Sequence, residues 1–220
     1  MRERPKLDLG MTGYDEMFMN DQERAENRLP KIFDIPLTEI DDFPDHPFKV
    51  RLDEDMDQLV ESIKERGIIT PVTLRQKPDG RYEIVSGHRR TKACEIAGLT
   101  TVKAEIKELS KDEAIILMVE SNLQRTTILP SEKAFSYKMR LEAVKRQGQR
   151  TDLTSSPVGT KLERSSDELT SETGDSRNQI HRYIRLTHLI PPLLDLVDSG
   201  KIAFRPAVEL SYLTEGEQNS

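Results

Sequence analysis

The sequence contains little of what would place it in several common protein classes. A single cysteine, Cys94, among 220 residues excludes an internal disulfide framework and fits a reducing compartment. No hydrophobic run approaches membrane length, and the opening stretch MRERPKLDLG lacks the apolar segment of a secretory signal. Four scattered histidines and one cysteine form no zinc-binding pattern. We therefore expect a cytoplasmic protein with no membrane segment and no structural zinc.

The chain also lacks the overall basic excess that is typical of nucleic-acid-binding proteins, because its formal net charge is −6. The distribution of charge is more informative than this sum. Six basic residues and one acidic residue lie between Lys133 and Arg150, and residues 177–190 contain three arginines, two histidines and no acid. These two segments are candidates for contact with a polyanion, although solvated helix faces would have the same composition.

Residues 1–30 show no sustained periodicity and are expected to form a flexible arm. Residues 31–125 alternate between helical and strand periods, which predicts an α+β domain. Its predicted elements are a helix ending at Gly67, a hairpin around KPDG, a helix after Gly87 with Ala93, Ile96 and Ala97 on one side, a strand TVKAEIKEL and a helix opened by a Ser110–Glu113 capping box.

Residues 126–220 contain only helical patterns, so an all-α domain is expected there. A helix from Pro130 to about Gln147 is predicted to stop at Gly148, and a polar loop to occupy residues 149–165. A short helix capped by Ser165 and Glu168 ends at Gly174 and is followed at once by another, which is the helix-turn-helix pattern. Two further helices, in PPLLDLVDSG and PAVELSYL, each start at proline.

The second helix of that pair has one apolar face, with Ile180, Tyr183 and Ile184, and one basic, polar face. Polar side chains of this kind donate to base edges in the major groove and to phosphates. An ordinary amphipathic surface helix is the alternative. The candidate DNA-binding residues are Ser176, Arg177, Asn178, Gln179, His181, Arg182 and Arg185.

A second candidate site is the stretch SGHRRTKA, in which a strand gives way to a helix at Gly87. The free N–H groups of a helix start bind anions, and glycine lets a ligand approach the backbone closely. Arg89 and Arg90 add guanidinium groups suited to phosphate. The stretch matches neither a Walker A loop nor GxGxxG. His46, beside Pro47, is interpreted as a loop residue, and Cys94 as part of the core.

Three short sequence motifs, in the order in which they occur along the chain, resemble the conserved boxes of the ParB family of DNA partition proteins, of the ParB/RepB type. GHRRTKA is similar to the family's second box, GERRxxA, and ESNLQRTTILPSEKAFSY to its third, ENLQRxxLxPxEEAxAY. DHPFKV is similar to the first box, with Pro47 at the fixed proline. The resemblance covers roughly residues 31–213. It implies an α+β ParB-type nucleotide-binding domain followed by an all-α helix-turn-helix domain.

The resemblance further implies a CTP-dependent, Mg²⁺-dependent clamp that forms as a homodimer around DNA. Its partners would be a palindromic centromere-like site and a ParA-type ATPase, on a nucleoid or plasmid. The implied nucleotide-binding residues are Gly87, His88, Arg89, Arg90, Ser121, Asn122 and Arg125, with Gln124 in support. The implied Mg²⁺ ligands are Asn122 and Glu120. Family members continue into a C-terminal dimerisation domain, so we expect the sequence to be part of a longer protein.

The sequence departs from the family pattern at three positions. His88 and Ser121 stand where the family has glutamates, and Phe48 stands where it has arginine. Glu120 is one residue too early to replace the second glutamate without a local shift, so slow hydrolysis of CTP to CDP and phosphate is left open. Two alternatives also stay open: a helix-turn-helix transcription regulator with a degenerate nucleotide pocket, and an ATP-using enzyme of the ParB-like fold.

Overall fold

The computed structural model describes residues 31–125, 128–151, 169–171 and 173–220. The expected arm at residues 1–30, most of the expected polar loop and the expected Ser165–Glu168 cap therefore lie outside the described residues. Among the helices that the structure describes, none is long and apolar enough to cross a membrane.

Five strands form one mixed sheet in the order β1-β5-β3-β4-β2. Strands β3 and β4 pair antiparallel as the predicted hairpin, β1 pairs antiparallel with β5, and the β3–β5 and β2–β4 pairs are parallel. A short 3₁₀ helix connects the first two strands. The strands are β1 (Ile32–Pro36), β2 (Ile40–Asp41), β3 (Val72–Gln76), β4 (Tyr82–Ser86) and β5 (Thr101–Lys107).

Eight helices can be bounded in the described part of the chain. The first three belong to the α+β region: α1 (Glu54–Arg66), α2 (His88–Ile96) and α3 (Lys111–Leu123). The remaining five are α4 (Pro130–Thr151), α5 (Arg177–Arg185), α6 (Pro191–Asp198), α7 (Phe204–Leu210) and α8 (Glu215–Gln218). Residues 169–171 and 173 are also helical, and Gly174 follows them with a positive φ of 72°.

The sheet lies between two layers of helices because side chains alternate across each strand. Ile84 packs into a core with Val60 of α1 and Ala93 of α2, whereas its neighbour Val85 packs against Met118 of α3. Helix α4 continues this second layer, contacting α3 along one side and α5 and α6 along another. The predicted α+β fold of the first region is thus confirmed, and helices α4 to α8 lie beside it.

Several sequence-based expectations are wrong in detail. Helix α4 continues past Gly148 to Thr151, so the polar loop does not begin at residue 149. Ile96 is 48% exposed, whereas Ala93, which was predicted to share its side of the helix, is fully buried, as is Cys94. Helix α7 begins at Phe204, before its proline. Strands β1 and β2 and the capped helix α8 were not predicted.

Candidate functional site

Gly87 makes the turn at which strand β4 ends and helix α2 begins. Its φ of 106° lies in the left-handed region, and a Cβ at this position would lie 2.7 Å from Val72 Cγ1. Helix α2 has no side-chain cap and no acidic residue in its first turn. The leading N–H groups of a helix have no partner within the helix. The start of α2 therefore presents a positive helix end that no side chain of its first turn compensates.

The two arginines of this turn make different contacts. Arg89 Nη2 donates to Asp53 Oδ1 at 3.0 Å, and both side chains are partly exposed, at 30% and 40%. Arg90 Nη1 donates to the carbonyl oxygens of Thr70 and Pro71 at 2.5 and 2.7 Å, and burial lowers its pKa. Arg89 can thus exchange its carboxylate for another anion, whereas Arg90 ties α2 to the segment before β3.

Four side chains form a stack beside the start of α2. The His46 and His88 ring centroids are 3.7 Å apart, with the rings tilted by 39°. Phe48 meets His46 edge-on at 5.6 Å, and Arg125 Cζ lies 5.7 Å from the centre of the Phe48 ring. Residues far apart in sequence, from the loop before α1, the start of α2 and the end of α3, therefore meet at one place.

The two histidines of the stack are held neutral near physiological pH. Burial, then the proximity of His46 and Arg125, lowers the pKa of His88 to about 3. Burial also lowers the pKa of His46, although its Nδ1 bonds the Phe48 carbonyl oxygen at 2.7 Å. The Nε2 atoms of both rings are buried without a hydrogen-bond partner. The close backbone approach at Gly87 and the uncompensated start of α2 fit a site for an anionic ligand.

The end of α3 carries the remaining candidate nucleotide contacts. The Asn122 side-chain amide donates to the Met118 carbonyl oxygen at 2.8 Å and to Ser121 Oγ at 3.3 Å. Ser121 Oγ donates to the same carbonyl oxygen at 2.9 Å. Burial lowers the pKa of Arg125, and the proximity of Arg89 contributes to the shift. Arg89 and Arg125 therefore place two guanidinium charges at one site.

The two predicted Mg²⁺ ligands, Asn122 and Glu120, offer a single carboxylate between them. Mg²⁺ is usually bound by one or two carboxylates together with substrate phosphates. Glu120 Oε1 instead pairs with Arg140 Nη2 of α4 at 3.1 Å, and Ser121 contributes only a hydroxyl. Among the described residues, no group of three or more His, Cys, Asp or Glu side chains is placed to hold a metal. Any Mg²⁺ here would depend on the phosphates of a ligand.

Helix α5 begins after Ser176, whose side chain caps it by accepting from the Gln179 N–H at 3.3 Å. Ile180 is fully buried against Tyr137 of α4, which confirms the predicted apolar face. Just before the cap, Asp175 accepts from Tyr137 Oη and from Lys133 Nζ, both at 2.6 Å. These contacts fix the helix on α4 and leave Asn178, His181 and Arg182 exposed.

The comparisons with known proteins agree with the arrangement of the boxes. Residues 20–123 match the ParB N-terminal domain family. These residues belong to the ParB N-terminal domain family. The whole chain is 32% identical over 181 residues to the chromosome-partitioning protein Spo0J of Thermus thermophilus, covering 80% of this chain and 60% of that relative. The chain spans about half to three fifths of the curated relatives that it matches, at 47% of the ParB of Caulobacter vibrioides.

Two solved structures of a ParB relative are also similar to the chain. The C-terminally truncated ParB of Caulobacter crescentus complexed to the centromeric parS site is 26% identical, with a TM-score of 0.50 over 83% of this chain and 86% of that one. The same truncated protein complexed with CTP-γ-S is 27% identical, with a TM-score of 0.40 over 84% of this chain and 94% of that one.

The structure brings the three ParB-like boxes together but gives their residues unequal positions. His88 and Arg125 belong to the stack, and Gly87 and Arg89 adjoin it at the start of helix α2. Arg90 and Glu120 are already engaged, by backbone carbonyls and by Arg140 respectively. The predicted roles of these residues in ligand binding stay predictions.

Sequence reasoning missed the contact that His46 makes. The histidine lies in a loop, as interpreted from the sequence, but it also packs against His88, 42 residues later in the sequence. The only signal available was that His46 precedes Pro47 within the first box. Phe48, which stands where the family has arginine, has a buried ring that lies 5.7 Å from Arg125 Cζ.

Arg185, one of the predicted DNA contacts, is engaged by neighbouring residues. The Arg185 guanidinium donates to the backbone carbonyl and the hydroxyl of Ser211 and stacks 4.1 Å from the centre of the Tyr212 ring. These contacts hold the end of α5 to the segment after α7. The exposed residues Asn178, His181 and Arg182 have a different position from Arg185, since they project away from this packing.

Proposed function

We propose that the chain is a sequence-specific DNA partition protein whose grip on DNA is switched by CTP. The observation that carries the proposal is the stack in which residues of all three ParB-like boxes meet at the uncompensated start of α2. Binding of one ligand at this place would contact three separate segments of the chain at once. Such a ligand can therefore act on the arrangement of the whole domain.

The chemistry of the stack favours a triphosphate. The positive end of α2 and the two guanidinium groups of Arg89 and Arg125 attract an anion of high charge. Arg89 would exchange its partly exposed bond to Asp53 for a phosphate oxygen. Asp53 also caps α1 by accepting from Met56 N–H at 3.0 Å. Ligand binding at Arg89 would therefore change the contacts of the residue that caps α1. The resemblance of the boxes selects CTP among nucleotides, and Mg²⁺ would arrive with its phosphates.

We assign DNA binding to the helix-turn-helix that ends in α5. Asn178, His181 and Arg182 are exposed on a helix that packs by its opposite face, which is the arrangement of a helix inserted into the major groove. Arg182 would donate to guanine or to phosphate, and Asn178 to adenine. A palindromic site would be bound by two copies of the chain, one at each half-site.

The remaining parts of the proposal follow from the family. Two copies would close around DNA as a clamp that slides from a centromere-like site, on a chromosome, plasmid or integrated element. A ParA-type ATPase would move the loaded DNA, and the residues before Lys31 are where we expect its contact. The protein would accordingly be found with the nucleoid or a plasmid.

The first test is calorimetric titration of CTP, ATP, GTP and UTP, each with magnesium, into the chain and its Arg89→Ala variant. We expect CTP alone to bind, and Arg89→Ala to weaken binding at least tenfold. Arg66→Ala, which removes one exposed charge from the far end of α1, is the matched control and should bind as the parent does.

Two other outcomes correspond to the alternatives. Failure of every nucleotide to bind, with and without parS DNA, would leave a DNA-binding regulator with a degenerate pocket. The replacement of both family glutamates, by His88 and Ser121, is the observation that favours that alternative. ATP binding with turnover would identify an enzyme of the same fold.

A further inference from the structure

The His46–His88 pair is the most unusual polar feature of the described chain. Both Nε2 atoms are buried and neither has a hydrogen-bond partner. The His88 residue as a whole is only 8% exposed. Buried polar groups are almost always paired, and an unpaired one costs on the order of 1–3 kcal/mol. Two such atoms in contacting rings, at the positive start of a helix, indicate that a ligand completes the arrangement.

The hydrogen bond at His46 Nδ1 determines how a ligand can bond to His46 Nε2. His46 Nδ1 lies 2.7 Å from the Phe48 carbonyl oxygen, which can only accept. Nδ1 therefore carries the hydrogen, and Nε2 of the neutral ring is a bare lone pair. A phosphate oxygen is also only an acceptor at neutral pH. The two can form a hydrogen bond only when Nε2 has gained a proton.

The surroundings favour a positive charge on His46 over one on His88. The carboxylates of Asp42 and Glu132 and the Phe48 carbonyl favour protonated His46, while Arg125 opposes it. Burial opposes a charge on both rings, and on His88 the proximity of His46 and Arg125 opposes it further. A single proton added to the pair would therefore reside on His46, and His88 would remain neutral.

We propose that His46 is a further residue of the triphosphate site and that CTP binding loads one proton onto its Nε2. This inference rests on the proposed function, since it concerns the same ligand. The proton comes from solvent, no covalent bond changes, and the new Nε2–H donates to a phosphate oxygen. In the free protein both rings are neutral near pH 7. The phosphate then supplies the negative charge that makes protonation of the buried imidazole favourable.

The consequence is a nucleotide affinity that depends on pH. At pH 7.5 the terminal phosphate is ionised, since its pKa is about 6, so a proton gained on binding belongs to the protein. We expect CTP affinity to fall by about tenfold per pH unit as pH rises above 6.5, until the pKa of bound His46 is passed. Affinity for nucleotide would thus be highest on the acidic side of neutrality.

The test is titration of CTP with magnesium at pH 7.5 in two buffers with different ionisation enthalpies. The difference in observed heat should correspond to uptake of about one proton per CTP bound. His46→Gln, which keeps a polar side chain but cannot become charged, should bind CTP with no uptake and no pH dependence. His188→Gln removes an exposed histidine outside the site and should retain the full uptake.

A second measurement needs no variant. Nitrogen-15 shifts of the histidine rings should show His46 changing from a neutral ring with hydrogen on Nδ1 to an imidazolium when CTP binds. CTP binding without proton uptake, or with His46 still neutral, would overturn this inference and leave the proposed function standing. Failure of any nucleotide to bind the parent chain would overturn both.

Discussion

Replacement of Gly87 by alanine tests the backbone geometry at the start of α2. Two separate costs can be worked from the structure. A φ of 106° lies in the region that costs a residue with a Cβ about 1–2 kcal/mol. The new Cβ would also lie 2.7 Å from Val72 Cγ1, and overpacking of this kind costs about 1–3 kcal/mol. We therefore expect Gly87→Ala to lower the free energy of unfolding by about 2–5 kcal/mol.

Gly80 provides a matched control for the first of these costs. Its φ is 86°, but a Cβ there would meet nothing within 4 Å. Gly80→Ala should therefore cost only the conformational part, about 1–2 kcal/mol. The difference between the two variants isolates the clash with Val72. In urea unfolding followed by circular dichroism, a difference of about 1–3 kcal/mol moves the midpoint by roughly 1 M.

A double variant separates the clash from any general weakness of this turn. Val72 is fully buried, so Val72→Ala destabilises the chain by creating a cavity. Combined with Gly87→Ala, it removes Cγ1, the nearest atom to the new Cβ, and leaves Val72 Cβ at 3.0 Å, so it relieves the closest part of the clash. The double variant should then cost less than the sum of the two single variants. Additive costs, or equal losses for Gly80→Ala and Gly87→Ala, would refute the argument that close backbone packing requires glycine at this position.

Three further predictions concern charge. The pKa of His88 is lowered from 6.5 to about 3, so between these values the unfolded chain binds a proton that the folded chain does not. The free energy of unfolding should therefore fall as pH is lowered from 6.5 toward 3. His88→Gln should remove that part of the pH dependence of urea unfolding. Arg182→Ala should weaken DNA binding and reduce its salt slope by about one with an unchanged melting temperature, whereas Arg185→Ala should also lower the melting temperature. Arg75→Met should lower the free energy of unfolding by about 3–5 kcal/mol, because it leaves buried Glu83 without its ion-pair partner at 2.5 Å. Adding Glu83→Leu should restore most of that free energy, and urea unfolding measures both variants.

Local signals in the sequence were sufficient for elements that are stabilised by their own residues. The Ser110–Glu113 capping box opens α3 as expected, and Gly67 ends α1 with a φ of 70°. Strand β1 was missed because it is an edge strand with an irregular pattern, in which Ile32 and Phe33 are exposed and only Ile35 is buried. Because buried and exposed residues do not alternate along β1, its position in the sheet is determined mainly by its pairing with β5.

Positions decided by tertiary packing were harder to predict. Glycine in a helix interior costs about 1 kcal/mol, which makes Gly148 an expected helix end. The helix nevertheless continues, and Ala143 one turn earlier packs into the core with Met118 of α3. The candidate site shows the same limit. The boxes indicated His88 and Arg125, but the contact that joins them runs through His46 and Phe48 from a loop without periodicity.

The stack has a consequence for the order of events in folding. Apart from the contact between His46 and Phe48, its contacts join residues far apart in sequence, His46 to His88 and Phe48 to Arg125. Closing such long loops carries an entropic cost before any contact forms. The sheet and α3 must already be in place when the stack is completed, which makes it a late step. A ligand bound there would therefore slow unfolding while leaving the folding rate nearly unchanged. A nucleotide bound there would thus set how long the folded state persists once it has formed.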